Sequence, residues 1–528
     1  MNRGMSAGGD DDAALRLGLE AMRAARFDQA EQAFLQVAGA NPKDHRAWHM
    51  LAVIALNTAR PAKAVELAQR ALQHDRRNAA YLSTLGVAAA ECGEFEEAIK
   101  HFRRALREHP SFVDASYNLG KTLVKIGDLA GARDAYRRTL AFNPRQQEAR
   151  KNLAWVLREL GELDTAIALL DEARADSPDD EQVLLQLANA HRERSGSAAG
   201  LDFYRTALSR LPASRALHGG LARLLLARGE WREGWRAYLG RDTVPQGGPL
   251  APVLARDLSG MRIRLVGEQG LGDVLFFLRF APELAARGAR VALECQPKLV
   301  GLLKGLPLFD DVIAYSDPEV PEPGNETRVD VGDLPALLEV TSTPPAVQLV
   351  RDPQRVQRCR ELLTRHGEPP YIGLTWRGGT AAREPEFGRR LDALSKEIPL
   401  DCMAEALAGV RGTLVVLQRN PRAEEIAWLA TRLGRPLHDR SALNDDLEEM
   451  AALLAVLDEY VAVSNTNVHL AAGVGRSAKV LVPYPPEWRW LESSDESPWF
   501  PGCPVYRQSP LRSWTAAASQ LNADLTRA

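Results

Sequence analysis

At 528 residues the chain has room for three or four domains of roughly 150 residues each. Apolar residues make up 45% and charged residues 26% of it, the balance of a folded globular protein and not of a disordered one. With 66 Lys and Arg against 69 Asp and Glu, the net charge of −3 offers no field to attract a nucleic acid.

The leader Met1–Asp12 (MNRGMSAGGDDD) has no apolar stretch of the kind a secretion signal needs. No apolar run approaches the ~18 residues that span a bilayer. Five scattered cysteines, Cys92, Cys295, Cys359, Cys402 and Cys503, form no CxxC pair and suit a reducing compartment. The expectation is a cytoplasmic protein without a transmembrane segment, with a disordered leader over residues 1–10.

Prolines then mark a period. Pro110, Pro144, Pro178 and Pro212 stand 34 residues apart, and Pro42 stands two periods before Pro110, with Arg76 in the skipped slot. Small residues recur in the same register at Ala30, Ala64, Ala98, Ala132, Ala166 and Gly200. A bulky residue follows four later at Phe34, Phe102, Tyr136, Leu170 and Tyr204. Small positions let two antiparallel helices approach closely, and a side chain four residues on lies over the same face. One such hairpin cannot bury its own apolar face, so neighbours must stack. The unit resembles the tetratricopeptide repeat over residues 11–244, with six full units and a degenerate seventh. Trp48 and Trp155 are assigned to its core.

After a Pro/Gly-rich junction at 241–253 the pattern changes to short β-branched runs alternating with helical segments, which predicts βα units. A first strand, 261–266, enters Gly267-Glu-Gln-Gly-Leu-Gly-Asp273 and an apolar helix. Gly270 and Gly272 permit a tight turn and close backbone approach. The dinucleotide fingerprint is incomplete, because Leu275 stands at its third glycine. Asp273 sits at the mouth of the βα crevice, where it serves either as a helix N-cap or as a reacting group. Further strands are expected at 290–295, 311–315, 328–331, 371–376, 413–417 and 460–463. The last runs through Ser464-Asn-Thr-Asn467 into an apolar helix, a helix start with free amides suited to phosphate.

The segments GEQGLGDVLFFLRFAPELAARGARVALEC and SNTNVHLAAGVGRSAKVLVPYPPEWRW resemble the heptosyltransferase-like family, glycosyltransferase family nine, in the form that carries N-terminal tetratricopeptide repeats. The likeness runs from about residue 255 to the end. It implies an α + α/β chain: a tetratricopeptide α-solenoid, then a GT-B fold of two Rossmann-like α/β halves, 255–345 on the acceptor side and 353–528 on the nucleotide-sugar side. It also implies an inverting, metal-independent hexosyl- or heptosyltransferase that takes no cofactor beyond its nucleotide-sugar substrate. Gly272-Asp273 matches the family's Gly-Asp, whose aspartate deprotonates the acceptor. Asn465, Thr466, Asn467 and His469 stand at its Asp-Thr-x-x-x-His diphosphate motif, with Asn465 replacing the aspartate. The family's diphosphate-binding cation corresponds to Arg377 or to Lys396. Glu268, Gln269, Lys396 and Gln418 are candidates for substrate contacts, while Trp488, Trp490 and Trp499 are assigned to the core.

Two functions follow. One is a glycosyltransferase whose repeats recruit a protein or glycan acceptor. The other is a non-catalytic repeat scaffold with a degenerate transferase-like region.

Overall fold

The computed structural model describes residues 7–241, 253–267, 269–315, 326–378 and 396–527. Glu268, residues 1–6 of the leader and residues 242–252 of the junction lie outside them. From Ala7 the backbone is already helical. Two compact units divide the described residues, one ending at Gly196 and one beginning at Ser197.

Among the described residues fourteen helices precede the first strand. Helix starts keep the 34-residue period: His45, Ala79, Val113, Gln147 and Glu181 begin first helices, and Phe27, Pro61, Phe95, Leu129 and Leu163 begin second ones. Within a hairpin the aromatic ring of the second helix rests on a glycine of the first. A Cβ on Gly18, Gly86 or Gly120 would stand 2.7 Å from Phe34, Phe102 or Tyr136, respectively. Each of those rings is fully buried.

The periodic prolines follow the second helices without being their sole stop. Asn41, His109, Asn143 and Ser177, each just before a proline, leave the helix with ψ of 81–90°, as expected where the proline ring crowds the preceding residue. Asp75, before Arg76, has ψ 84° without one. The bend therefore does not require the proline. Trp48 and Trp155 are half-buried and not fully in the core. Trp48 lies under the Arg70 guanidinium and donates from Nε1 to the Pro42 carbonyl at 2.8 Å.

In the second unit the helices Arg215–Ala227 and Trp231–Tyr238 join the core of the α/β region. Trp235 is 1% exposed, its ring 5.3 Å from Trp488 and 5.9 Å from Trp499. Those two and Trp490 are buried, as expected of core tryptophans.

The strands are β1 (Arg262–Val266), β2 (Arg290–Cys295), β3 (Asp311–Ala314), β4 (Glu326–Asp330), β5 (Tyr371–Thr375), β6 (Thr413–Val416), β7 (Leu437–Asp439), β8 (Glu459–Val463), β9 (Lys479–Val482), β10 (Glu496–Ser497) and β11 (Phe500–Arg507). The first four form an all-parallel sheet in the order β3-β2-β1-β4. The rest form a sheet ordered β10-β11-β9-β8-β5-β6-β7, parallel except for β10 against β11. In both sheets the chain winds first to one side of the opening strand and then to the other. Such a sheet opens a crevice at the carboxyl ends where the winding reverses. In the larger sheet that point lies between the neighbours β5 and β8.

The turn between the helices of each repeat supplies a test. One residue there is left-handed with the same period: Gly93, Gly127 and Gly161 at φ of 79–81°, but Ala25 and Ala59 at 55°. A Cβ disfavours this conformation by about 1 kcal/mol, and space is not limiting, since nothing lies within 4 Å of a Cβ on Gly93. Ala59→Gly is expected to raise stability by about 1 kcal/mol and Gly93→Ala to lower it by a similar amount, read from urea unfolding midpoints.

Candidate functional site

The turn after β1 and the turn after β8 meet. Gly270 starts the helix Leu271–Phe277, whose third residue is Asp273. Asp273 is therefore not the N-cap, and no side chain caps this helix. A Cβ on Gly272 would stand 3.1 Å from His469 Cδ2 and 3.4 Å from Thr466 Cα, so this glycine brings backbone against the helix Thr466–Gly473. Gly270 has an ordinary φ of −63° and gives access rather than a special turn.

Between these elements lies a cavity of about 300 Å³. Gly270, Gly272 and Asp273 line it from one sheet; Arg377, Lys396, Asn465, Thr466, Asn467 and His469 line it from the other. Gln269 and Gln418 are not in its lining. Gln269 bonds with the Tyr238 hydroxyl at 3.1 Å. Gln418 accepts from the Trp376 and Arg377 amides and donates to the Arg377 and Arg419 carbonyls. Its amide is a strap between the ends of β5 and β6, with no valence left for a sugar.

The helix start is built by Asn465. Its Oδ1 accepts from the Val468 amide and the Tyr460 hydroxyl, both at 3.2 Å. The Thr466 and Asn467 amides precede the first possible intrahelical acceptors and carry the positive end of the helix dipole. Asn467 donates to Asn444 Oδ1 at 3.3 Å. Buried Asn465 Nδ2 and His469 Nδ1 have no partner among the described residues. Gly378 is packed so closely on β8 that a Cβ there would stand 2.5 Å from the Ser464 carbonyl oxygen. Its amide donates to the Lys396 carbonyl at 2.7 Å, which seats Lys396 on the cavity wall.

Most charges here are already paired. Arg377 meets Glu425 through both terminal nitrogens, at 2.8 and 3.4 Å. Burial would push the Glu425 carboxyl up, but Arg377 and Arg422 outweigh it and pull it down to about 2. Lys396 Nζ is 2.7 Å from Glu487 Oε2, which also accepts from Ser464 Oγ at 2.9 Å. Arg489, 5% exposed, bridges Glu487 Oε1 and Asp273 Oδ1, the latter at 2.5 Å. Burial would raise the Glu487 carboxyl, yet Lys396 and Arg489 hold it far below its usual range. Burial would likewise lower Arg489, and Glu487, Asp273 and Tyr238 hold it above its usual range.

Arg419 is different. It is exposed, lines the cavity, and its guanidinium has no hydrogen bond or ion pair among the described residues. Sequence reasoning singled out neither Arg419 nor the Glu487–Arg489 pair. Arg419 directly follows the strand-end Gln418, which was its one local signal, and Arg489 is hidden between two core tryptophans. Among the described residues no group of three or more His, Cys, Asp or Glu is placed to hold a metal, and no helix is long and apolar enough to cross a membrane.

Comparison with known proteins bears on the repeats. The tetratricopeptide repeat family matches residues 15–81, 49–113, 83–144 and 117–181, and repeats of this type form the stacked helices of the first unit. Protein FlbA of Caulobacter vibrioides (strain ATCC 19089 / CIP 103742 / CB 15) is 29% identical over 308 residues, covering 53% of this chain and 50% of FlbA. The chain thus spans about half the length of that relative. The solved structure of Pseudomonas aeruginosa pilF is 22% identical, covering 40% of this chain and 96% of that one, with a TM-score of 0.36. The thermophilic tetratricopeptide protein TTC0263 of Thermus thermophilus is 24% identical, covering 34% of this chain and 98% of that one, with a TM-score of 0.30.

His469 supplies a pH test. Burial, with Arg489 and Arg279 nearby, holds its imidazole well below the ordinary value of 6.5. It is therefore neutral when folded but takes a proton when unfolded below about pH 6.5. Its contribution to stability is complete above that pH and is lost as pH falls, by up to about 1.4 kcal/mol per unit. Between pH 6.5 and 5 the wild type should lose more stability than His469→Gln, measured by urea unfolding.

Proposed function

We propose that the region from about residue 255 to the end is a GT-B glycosyltransferase similar to the heptosyltransferase-like family, that it uses a nucleotide sugar, and that the tetratricopeptide repeats recruit a protein or glycan acceptor. Repeats of this kind suit protein contact, because stacked hairpins create an extended surface. The observation that carries the catalytic reading is that a carboxylate, Asp273, and the start of the helix Thr466–Gly473, whose Thr466 and Asn467 amides precede any intrahelical acceptor, line one cavity. That cavity lies at the carboxyl ends of parallel strands.

In this reading the acceptor hydroxyl attacks the anomeric carbon, and Asp273 Oδ2, which has no hydrogen-bond partner among the described residues, takes its proton. The bond from the anomeric carbon to phosphate oxygen breaks, and the nucleoside diphosphate leaves with the electron pair. The Thr466 and Asn467 amides and Arg419 face the charge that develops on it. Arg419 replaces Arg377 in that role, since Glu425 already holds Arg377. Lys396 remains beside the cavity with Glu487 as its counter-ion.

A second reading, a repeat scaffold with a degenerate site, draws on two features. Arg489 occupies one oxygen of Asp273, and Asn465 stands where the family carries aspartate.

The two readings separate experimentally. Nucleoside diphosphates should raise the melting temperature of the full chain, and Arg419→Ala should weaken that binding about tenfold. Asp273→Ala should keep the binding and lower nucleotide-sugar hydrolysis or transfer by about 100-fold or more. Binding without turnover in the wild type would favour the scaffold, and no binding would remove both donor and catalysis.

A further inference from the structure

Arg489 is a cation buried in an aromatic wall and divided between two carboxylates. Its guanidinium carbon lies 4.4 Å from the Trp488 ring centre and 4.6 Å from that of Phe276. One terminal nitrogen donates to Glu487 and the other to Asp273. Glu487 is fixed from its far side by Lys396 and Ser464. The two carboxylates differ in setting: the Glu487 side chain is 9% exposed and that of Asp273 is 35%.

We infer that Arg489 is a positioning residue for Asp273: it anchors Oδ1, turns Oδ2 toward the cavity, and is itself held in place by Glu487. The reason is geometric. A short side chain at the third position of a helix rotates about χ1 and χ2 unless something restrains it. A guanidinium offers two parallel donors in a fixed plane, so an arginine immobilised by aromatic faces and a buried counter-ion can hold an outside carboxylate by one oxygen. Removing a partner leaves a buried charge uncompensated, which is why the pair must be kept together. Lysine, a single point charge, can reproduce the attraction but not the two-way bridge.

The inference rests on the transferase reading only for its kinetic consequence, so the test has two arms on the full-length chain. The first couples an amine to accessible carboxyls with a carbodiimide at one mildly acidic pH and reads Asp273 by mass spectrometry. Without its guanidinium partner, Asp273 is expected to label roughly tenfold faster in Arg489→Met than in the wild type. Asp164, whose side chain is 80% exposed, should be unchanged. Glu487→Gln, whose amide oxygen can still accept from Arg489, should label Asp273 clearly more slowly than Arg489→Met. Equal labelling in wild type and Arg489→Met would overturn the inference. So would equal acceleration in Glu487→Gln, which would mean general loosening of the wall.

The second arm follows nucleotide-sugar turnover. Arg489→Met should lower kcat about 100-fold at unchanged KM for the nucleotide sugar, with partial recovery in Arg489→Lys. A raised KM at intact kcat would overturn positioning. A wild type without turnover would end the transferase reading and leave the labelling arm to decide.

Discussion

A buried guanidinium needs acceptors, and for Arg489 the wall of the cavity supplies two carboxylates. Arg489 sits on a short helical turn between two core tryptophans, where an unpaired cation would be strongly destabilising. Glu487, two residues earlier, answers it directly, and Lys396 and Ser464 answer Glu487 in turn. The chain of charges ends at Asp273, on the helix that follows β1. One line of ion pairs thereby ties the four-stranded sheet to the seven-stranded one at the wall of the cavity.

The same wall explains why the last repeat hairpin belongs with the sheets. Trp235 meets Trp488 and Trp499 from the end of the chain and Phe277 and Phe280 from the segment after β1. Aromatic rings of this size prefer edge-to-face contact, and the near-perpendicular Trp235–Trp488 pair at 89° follows that preference. The hairpin is a repeat by sequence and part of the α/β core by packing. Tyr238, at its end, reaches the glycine turn through Gln269.

Within the cavity, charge pairing decides which cations face an incoming anion. Glu425 holds Arg377 at the capping turn of the helix Ala423–Leu433, and Glu487 holds Lys396. Arg419 and the helix amides remain. An anion there would meet the Arg419 guanidinium, close enough to Asp445 to help Lys298 lower its carboxyl, and roughly half a charge from the helix dipole.

The repeat region was legible in the sequence because its information is local. Within the first unit each 34-residue repeat packs on the next, so spacing, small residues and rings report the hairpin directly. The opening strand of each sheet and the helix start at Thr466 were legible for the same reason, through apolar runs bounded by glycine or asparagine. Strand β11 was not, because Pro501, Gly502 and Pro504 disguise it. The order of strands, and with it the crevice between β5 and β8, was not legible either, since periodicity gives a strand's existence but not its neighbours. The motif residues Asp273, Thr466 and His469 could be named from sequence, but whether their cations were free could not. Pairing of Arg377 with Glu425 and of Arg489 with Asp273 joins residues 48 and 216 positions apart. Only folding brings such partners within a few ångströms, where an electrostatic contact outweighs the solvent that would otherwise separate them.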